Sequence, residues 1–326
     1  MFSELARYPL AHLPTPIAEM PRLSEALGGP CLLVKRDDMT GLATGGNKTR
    51  KLEFLIADAL EKEADTVIST GAAQSNHCRQ TAAAAARAGL RCILVLGPMA
   101  PAQITGNLLI DQLVGAQIRW SGDRDQVAMM QEVAEEERSA GRVPYIIPYG
   151  GSNPVGATGY VLAMEELTRQ MLRDELRIDH IVFATSSGGT QAGMTVGALA
   201  HHFAGSLLGI SVAPEAKTLE ADVLTLAQAT AQHLDLRLEI APERIAVNDA
   251  YTGEGYGIMG EPEREAITLA ARSEGLLVDP VYTGRALAGL INLIRKGQYG
   301  ADETVLFWHT GGTPALFAHA EALAKR

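Results

Sequence analysis

Two hydrophobic periods take turns along most of the chain. Short apolar runs at 31–35, 65–70, 92–96, 116–120, 144–148, 180–184, 207–212 and 304–308 have the length and residue types of buried strands. Between them, apolar residues recur at three- and four-residue spacing. These stretches predict helices over 75–88, 105–114, 126–140, 157–172, 190–202, 219–234, 261–274, 285–296 and 314–324. An earlier helix follows Gly45-Gly46-Asn47-Lys48-Thr49-Arg50-Lys51 and carries Leu52, Leu55, Ile56, Ala59 and Leu60 on one face. Residues 1–30 read as irregular, because Pro9, Pro14, Pro16 and Pro21 block long helices. The stretch 149–156 is dense in Gly and Pro and reads as a loop or hinge. Apolar strands alternating with helices predict an α/β fold whose parallel sheets are covered by helices on both faces.

Composition narrows the class. A chain of 326 residues, 47% hydrophobic and 20% charged, is long enough for one large or two ordinary domains. The net charge of −10, with Lys and Arg dispersed, argues against a nucleic-acid partner. Cys31, Cys78 and Cys92 are too few and too scattered for a disulfide framework or a zinc site, so no metal is expected. Residues 1–9 show no basic segment leading into an apolar one, and no apolar run approaches a membrane span. The expectation is a soluble cytoplasmic protein without a membrane partner. Glycine, at 33 residues, exceeds its usual share of about 7% and clusters in loops, where backbone approaches ligands.

Chemistry concentrates where a strand hands over to a helix. Lys48 falls in the first turn of its helix, with Asn47 placed to cap it. The positive end of the helix dipole and the nearby Lys51 both disfavour a second ammonium, so Lys48 yields a neutral amine more easily. A neutral amine is the nucleophile a Schiff base needs; a solvated surface charge is the alternative for any single lysine. The loop 184–193 contains Ser186-Ser187-Gly188-Gly189-Thr190 and opens a helix. Its small residues let backbone N–H groups meet an anion, although a plain glycine-rich connector would look similar. It lacks the triphosphate and dinucleotide fingerprints, which favours a single phosphate. Together, an aldehyde-reactive lysine and a phosphate cradle point to pyridoxal 5′-phosphate.

Further candidates remain open between chemistry and structure. In Gln74-Ser75-Asn76-His77, Ser75 is either a proton carrier beside a bound carboxylate or a helix cap. Tyr256 and Tyr282 lie in glycine-flanked loops and either line a pocket or pack. His77 and His309 are either bases or structural. The segment His309-Thr310-Gly311-Gly312-Thr313-Pro314 follows a strand at the sheet edge where open parallel sheets bind ligands.

Taken together, these segments resemble the fold-type II pyridoxal-phosphate enzymes, tryptophan synthase β-like in fold. The branch is the one that contains 1-aminocyclopropane-1-carboxylate (ACC) deaminase and D-cysteine desulfhydrase. The resemblance runs from Pro14-Thr15-Pro16 through Lys35-Arg36-Asp37-Asp38, Gly45 to Leu52, Gln74-Ser75-Asn76, Ser187 to Gly193 and Asp279 to Gly284, and ends at His309 to Pro314. It implies a Schiff-base link at Lys48 and a hydrogen bond from Asn76 to the cofactor's phenolic oxygen. It also implies a phosphate site at Ser187, Gly188, Gly189 and Thr190, with Lys51, Thr283 and Thr310 in the cofactor-binding set. Ser75 would sit beside the substrate carboxylate, and Tyr256 and Tyr282 would face the substrate. The family fold implies a large domain (1–44 and 158–326), a small inserted domain (45–157) and a homodimer.

Two positions separate the branches. ACC deaminases of the family carry Glu where this chain has Thr283, and Leu where it has Thr310. A carboxylate at the pyridine nitrogen keeps it protonated and makes a strong electron sink, whereas a hydroxyl leaves it largely neutral. Opening a cyclopropane needs the strong sink; expelling a β-thiolate needs less. The expected reaction is therefore α,β-elimination from a small amino acid with a β leaving group. From cysteine it gives pyruvate, ammonia and sulfide, with the D enantiomer favoured by the branch resemblance. Alternatives on the same scaffold are ACC deaminase, L-cysteate sulfo-lyase and an amino-acid racemase. A cofactor- or amino-acid-binding protein without turnover is the alternative of a different class.

Overall fold

Side chains of a strand point alternately to opposite faces, so a strand apolar throughout needs cover on both. The structure is a computed structural model that describes residues 5–324. Residues 1–4 and 325–326 lie outside the described residues; they belong to the expected large domain, and the first four also to the segment read for a leader. In chain order the elements are β1 (Ile17–Glu19), α1 (Pro21–Leu27), β2 (Cys31–Arg36), α2 (Lys48–Glu61), β3 (Thr66–Ala72), α3 (Asn76–Ala88), β4 (Arg91–Gly97), α4 (Gly106–Leu113), β5 (Gln117–Trp120), α5 (Gln126–Ser139) and β6 (Pro144–Ile146). There follow α6 (Pro154–Arg173), β7 (His180–Thr185), α7 (Gly189–Ala200), β8 (Ser206–Ser211), α8 (Ala216–His233), β9 (Ala246–Asn248), α9 (Glu261–Glu274), α10 (Thr283–Arg295), β10 (Thr304–His309), α11 (Pro314–Ala318) and α12 (Ala320–Ala324).

These strands make two sheets. One has six strands in the order β1-β2-β10-β7-β8-β9, parallel except for the antiparallel edge pair β1–β2. The other has four parallel strands in the order β5-β4-β3-β6. Both are covered as the pattern requires. On the six-stranded sheet, Val182, Val305 and Phe307 pack under α10, while their neighbours Ile181, Phe183, Leu306 and Trp308 pack under α6. On the four-stranded sheet, Val67 and Leu94 face α2 and α3, and Ile68 and Ile93 face α5.

Four stretches depart from the sequence reading. The segment 1–30 is not irregular throughout: it holds β1 and α1, with Pro21 at the first helical position, where a missing N–H costs nothing. The expected last helix divides at His319 into α11 and α12. The sheet gains β9, a three-residue edge strand too short to give a periodic signal. The helix expected from 157 starts earlier, because Asn153 accepts from the Gly156 N–H at 2.8 Å and Pro154 fits the first turn.

One buried polar knot ties α2 to the six-stranded sheet. The Asp37 carboxylate accepts from Arg50 of α2 (2.8–3.0 Å), Tyr160 of α6 (2.6 Å), Trp308 of β10 (2.8 Å) and Thr15 (2.9 Å). Glu166 of α6 takes Arg50 (2.9 Å) and Lys35 (2.6 Å). Burial alone would raise the Asp37 carboxyl, but the charge and hydrogen bonds of Arg50, the Lys35 charge and the Tyr160 hydroxyl together outweigh it and hold the group below the usual carboxylate range. Removing one charge from such a group strands the other. Asp37→Asn is therefore expected to lower the unfolding free energy by roughly 3–5 kcal/mol in a urea titration. A loss below about 1 kcal/mol, the scale of an exposed ion pair, would mean the knot does not depend on this charge.

Candidate active site

Helix starts converge on one cleft. Lys48 opens α2, Ser75 and Asn76 open α3, Gly188 precedes α7, and Tyr282 precedes α10. All of these residues line a cleft of about 580 Å³, counting the part open to solvent. Parallel strands deliver two of these starts directly, β3 running into α3 and β7 into α7 at the carboxyl edges of their sheets. Helix starts carry partial positive charge and unpaired N–H groups, so the cleft is built for an anion.

Asn47 does not cap α2, contrary to the sequence expectation. Its own backbone is already helical, and its side-chain amide donates to the Thr190 hydroxyl at 3.0 Å. The cap comes from another helix: Gln80 of α3 accepts from the Thr49 N–H at 2.7 Å. The Asn47 N–H donates to the Thr310 carbonyl at 2.9 Å, which ties the α2 entry to the end of β10.

Lys48 and Lys51 form the electrostatic centre. Both donate to the Gly150 carbonyl, at 3.3 and 3.2 Å, and Lys51 reaches the Ser152 hydroxyl at 3.4 Å. Among the described residues neither ion-pairs with a carboxylate. Burial pushes Lys48 down to about 8; burial and the Lys48 charge push Lys51 well below an ordinary lysine. The sequence reading credited the helix dipole and Lys51 for lowering Lys48; burial is the cause here, and the contact with Lys51 acts the other way and raises it. Two neighbouring amines without a carboxylate partner, beside a helix start, fit an anionic ligand that also bears an aldehyde.

The loop before α7 supplies the rest of that fit. Ser187, Gly188 and Thr190 line the cleft, and the first N–H of the helix, that of Gly189, donates to the Ser152 hydroxyl at 3.2 Å. Gly189 lies just behind, where a Cβ would sit 2.5 Å from the Ser152 hydroxyl and 2.8 Å from the Lys51 Nζ. A side chain there would displace the very groups that gather at the helix start. At Gly150, in the left-handed region, a Cβ would meet the Ser187 hydroxyl at 2.2 Å.

The remaining candidates sort by their partners. Ser75 caps α3, accepting from the Cys78 N–H at 3.1 Å, and also faces the cleft, so its hydroxyl hydrogen is left to donate. His77 bonds the Ser69 hydroxyl through Nε2 at 2.8 Å; burial and the two lysines hold it neutral, well below the usual histidine range. His309 uses both ring nitrogens, bonding the Leu277 carbonyl at 2.9 Å and accepting from the Gly311 N–H at 3.1 Å. It has no lone pair left to act as a base. Thr310 lines the cleft, but Thr283 does not: its hydroxyl bonds Asp279, a buried carboxylate that also accepts the backbone N–H groups of 281–283. Tyr256 lies at the mouth, its hydroxyl 2.5 Å from that of Tyr282, with the rings edge to face. Burial raises both phenols, so both stay protonated.

Sequence reasoning missed Tyr149, which lines the cleft and interacts with both phenols and with Ser186. Its signal was the glycine-rich stretch after β6, read only as a hinge. It also missed Gln80 and Asp279, whose roles depend on contacts between elements.

Comparison with known proteins gives a consistent picture. The family model described as "Pyridoxal-phosphate dependent enzyme" matches residues 8–311. A D-cysteine desulfhydrase of Klebsiella pneumoniae is 43% identical over 324 residues, covering 97% of each chain. A crystal structure titled as that of an ACC deaminase homologue superposes with a TM-score of 0.91 at 38% identity, covering 99% of this chain and 96% of that one.

The depressed Lys48 amine is directly measurable. Reductive trapping of a small aldehyde on the cofactor-free protein, followed by peptide mapping, should label Lys48 with a half-maximum near pH 8. Labelling that keeps climbing towards about pH 10.4, as at an ordinary lysine, would remove the case for a buried nucleophile.

Proposed function

Because the chain belongs to the pyridoxal-phosphate dependent enzyme family, we propose that it is a lyase that eliminates hydrogen sulfide from D-cysteine, the remaining aminoacrylate taking up water to give pyruvate and ammonia. The observation that carries this reading is the full-length similarity to a D-cysteine desulfhydrase, read on a cleft that holds a depressed lysine facing protonated phenols. When bound, pyridoxal 5′-phosphate supplies an electron sink for the charge left when the substrate Cα loses its proton.

The chain's own residues then have distinct work. Lys48 would hold the cofactor through its aldehyde, and the Lys48 amine, when free, would take the Cα proton of the substrate. With its proton affinity lowered to about 8, Lys48 suits this role better than the phenols, which burial makes weaker acids. Tyr282 donates its hydroxyl hydrogen to the departing sulfur, and Tyr256 holds that hydroxyl in place. The Ser75 hydroxyl and the first turn of α3 receive the substrate carboxylate. The start of α7, with Ser187, Gly188, Gly189 and Thr190, receives the phosphate, and Lys51 balances its charge. At position 283 the chain has a hydroxyl engaged with Asp279, set back from the cleft, rather than a carboxylate that would keep the cofactor's ring nitrogen protonated, which favours expulsion of a thiolate over ring opening.

The two-domain division at 45–157 belongs to this proposal; the strands of the four-stranded sheet all fall between 66 and 146. So do a homodimer, to be checked by light scattering, and a cytoplasmic location, which suits the three unpaired cysteines.

The test is a parallel assay of keto acid from D-cysteine, L-cysteine, L-cysteate and ACC. Pyruvate from D-cysteine, with little 2-oxobutyrate from ACC, is expected; efficient turnover of ACC would overturn the role given to position 283. Lys48→Ala should abolish both turnover and the visible absorbance of the loaded protein. Tyr282→Phe should lower kcat by roughly 10²-fold, the lower end of a general acid's contribution.

A further inference from the structure

Arginine can only donate hydrogen bonds, so a buried guanidinium dictates which end of each neighbouring amide turns towards it. Arg79 of α3 is fully buried. Its Nη1 donates to the Oδ1 atoms of Asn107 (2.6 Å) and Asn76 (3.0 Å), and its Nη2 donates to the Gly45 carbonyl (2.6 Å). With its oxygen held by Arg79, Asn107 directs Nδ2 to the Gln74 carbonyl (2.8 Å) and to the Asn76 Oδ1 (2.9 Å). The amide oxygen of Asn76 therefore has both acceptor positions filled. Its Nδ2 has no such partner and is left for the cleft wall that Asn76 shares with Lys48.

We infer that Arg79, acting with Asn107, is the positioning residue that fixes the polarity of the Asn76 amide, so that the wall beside Lys48 presents an N–H donor and not a carbonyl. The ligand chemistry this selects is an anionic oxygen adjacent to the aldehyde carbon, as on the cofactor's phenolate ring; the inference rests on the pyridoxal-phosphate reading above. The same guanidinium holds Gly45, at the entry to α2, so one group sets both the donor and the approach of the lysine.

The readout is the pH midpoint at which the visible absorption band of the cofactor-loaded protein changes. A donor on the phenolate oxygen makes that oxygen a weaker partner for the proton on the neighbouring linkage nitrogen, so losing the donor raises the midpoint. Arg79→Lys keeps the charge but cannot span Gly45 and both amides. It should raise the midpoint by about one pH unit, the equivalent of one hydrogen bond to a charged group. Asn107→Leu, which leaves Arg79 in place, should shift it the same way and serves if the arginine variant does not fold. Neither change should move the midpoint in an Asn76→Ala background. Variants that melt earlier yet titrate like the wild type, or that shift equally without Asn76, would reduce Arg79 to a structural role and overturn the inference. A wild-type protein that takes up no pyridoxal 5′-phosphate would instead overturn the cofactor reading, and this inference with it.

Discussion

The Asp37–Arg50 contact is the constraint on which the site geometry depends. Arg50 lies two residues past Lys48 on α2, and a helix transmits position rigidly over so short a distance. Anchoring Arg50 to Asp37, Glu166 and, through them, to Tyr160 and Trp308 fixes where the α2 start stands relative to the six-stranded sheet. The knot is buried, and every charge in it has hydrogen-bonded partners, the condition under which buried ions are tolerated. Shifting α2 along its axis would break several of these bonds together. Gln80 reinforces the placement from the four-stranded side by capping the same turn. Lys48 is thus held by both sheets, although it belongs to neither.

That arrangement also explains the imbalance of charge in the cleft. The carboxylates near α2 are committed elsewhere: Asp37 and Glu166 to Arg50 and Lys35, and Asp279 to backbone N–H groups and Thr283. Lys48 and Lys51 are left to share one carbonyl, amid several helix starts of the same partial sign. Folding places these positive groups together without local compensation, and a dianionic ligand relieves the mutual repulsion. Affinity for a phosphate ester with an aldehyde then follows from the fold's own electrostatics.

Much of this was legible in the sequence because the relevant signals are local. Apolar runs such as 180–184 and 304–308 marked buried strands, the handover from strand to helix located Ser75 and Ser187–Thr190, and flanking glycines marked the loop of Tyr282. What was not legible depends on distant partners. Asn47 has the composition of a cap, yet its side chain is drawn to Thr190, 143 residues away, and Gln80 caps in its place. No spacing rule connects residues on different helices. Thr283 could be compared with its family counterpart, but its engagement with Asp279 appears only once the turn before α10 is closed. Tyr149 escaped for a related reason: a Gly-rich stretch predicts a bend but does not say which side chain the bend turns inward.

A single physical cause sets up both halves of the proposed proton transfer. Burial penalises whichever form of a group is charged. For Lys48 the charged form is protonated, so burial lowers its proton affinity; for Tyr282 the charged form is deprotonated, so burial raises it. The same wall therefore yields an amine ready to accept a proton and a phenol that keeps its own. Groups pushed apart in this way carry their acid and base assignments with them. Opening the wall to water would move both towards their solution values at once. The Tyr256 hydroxyl, 2.5 Å from that of Tyr282, fixes the phenol within that wall through the hydrogen bond between them.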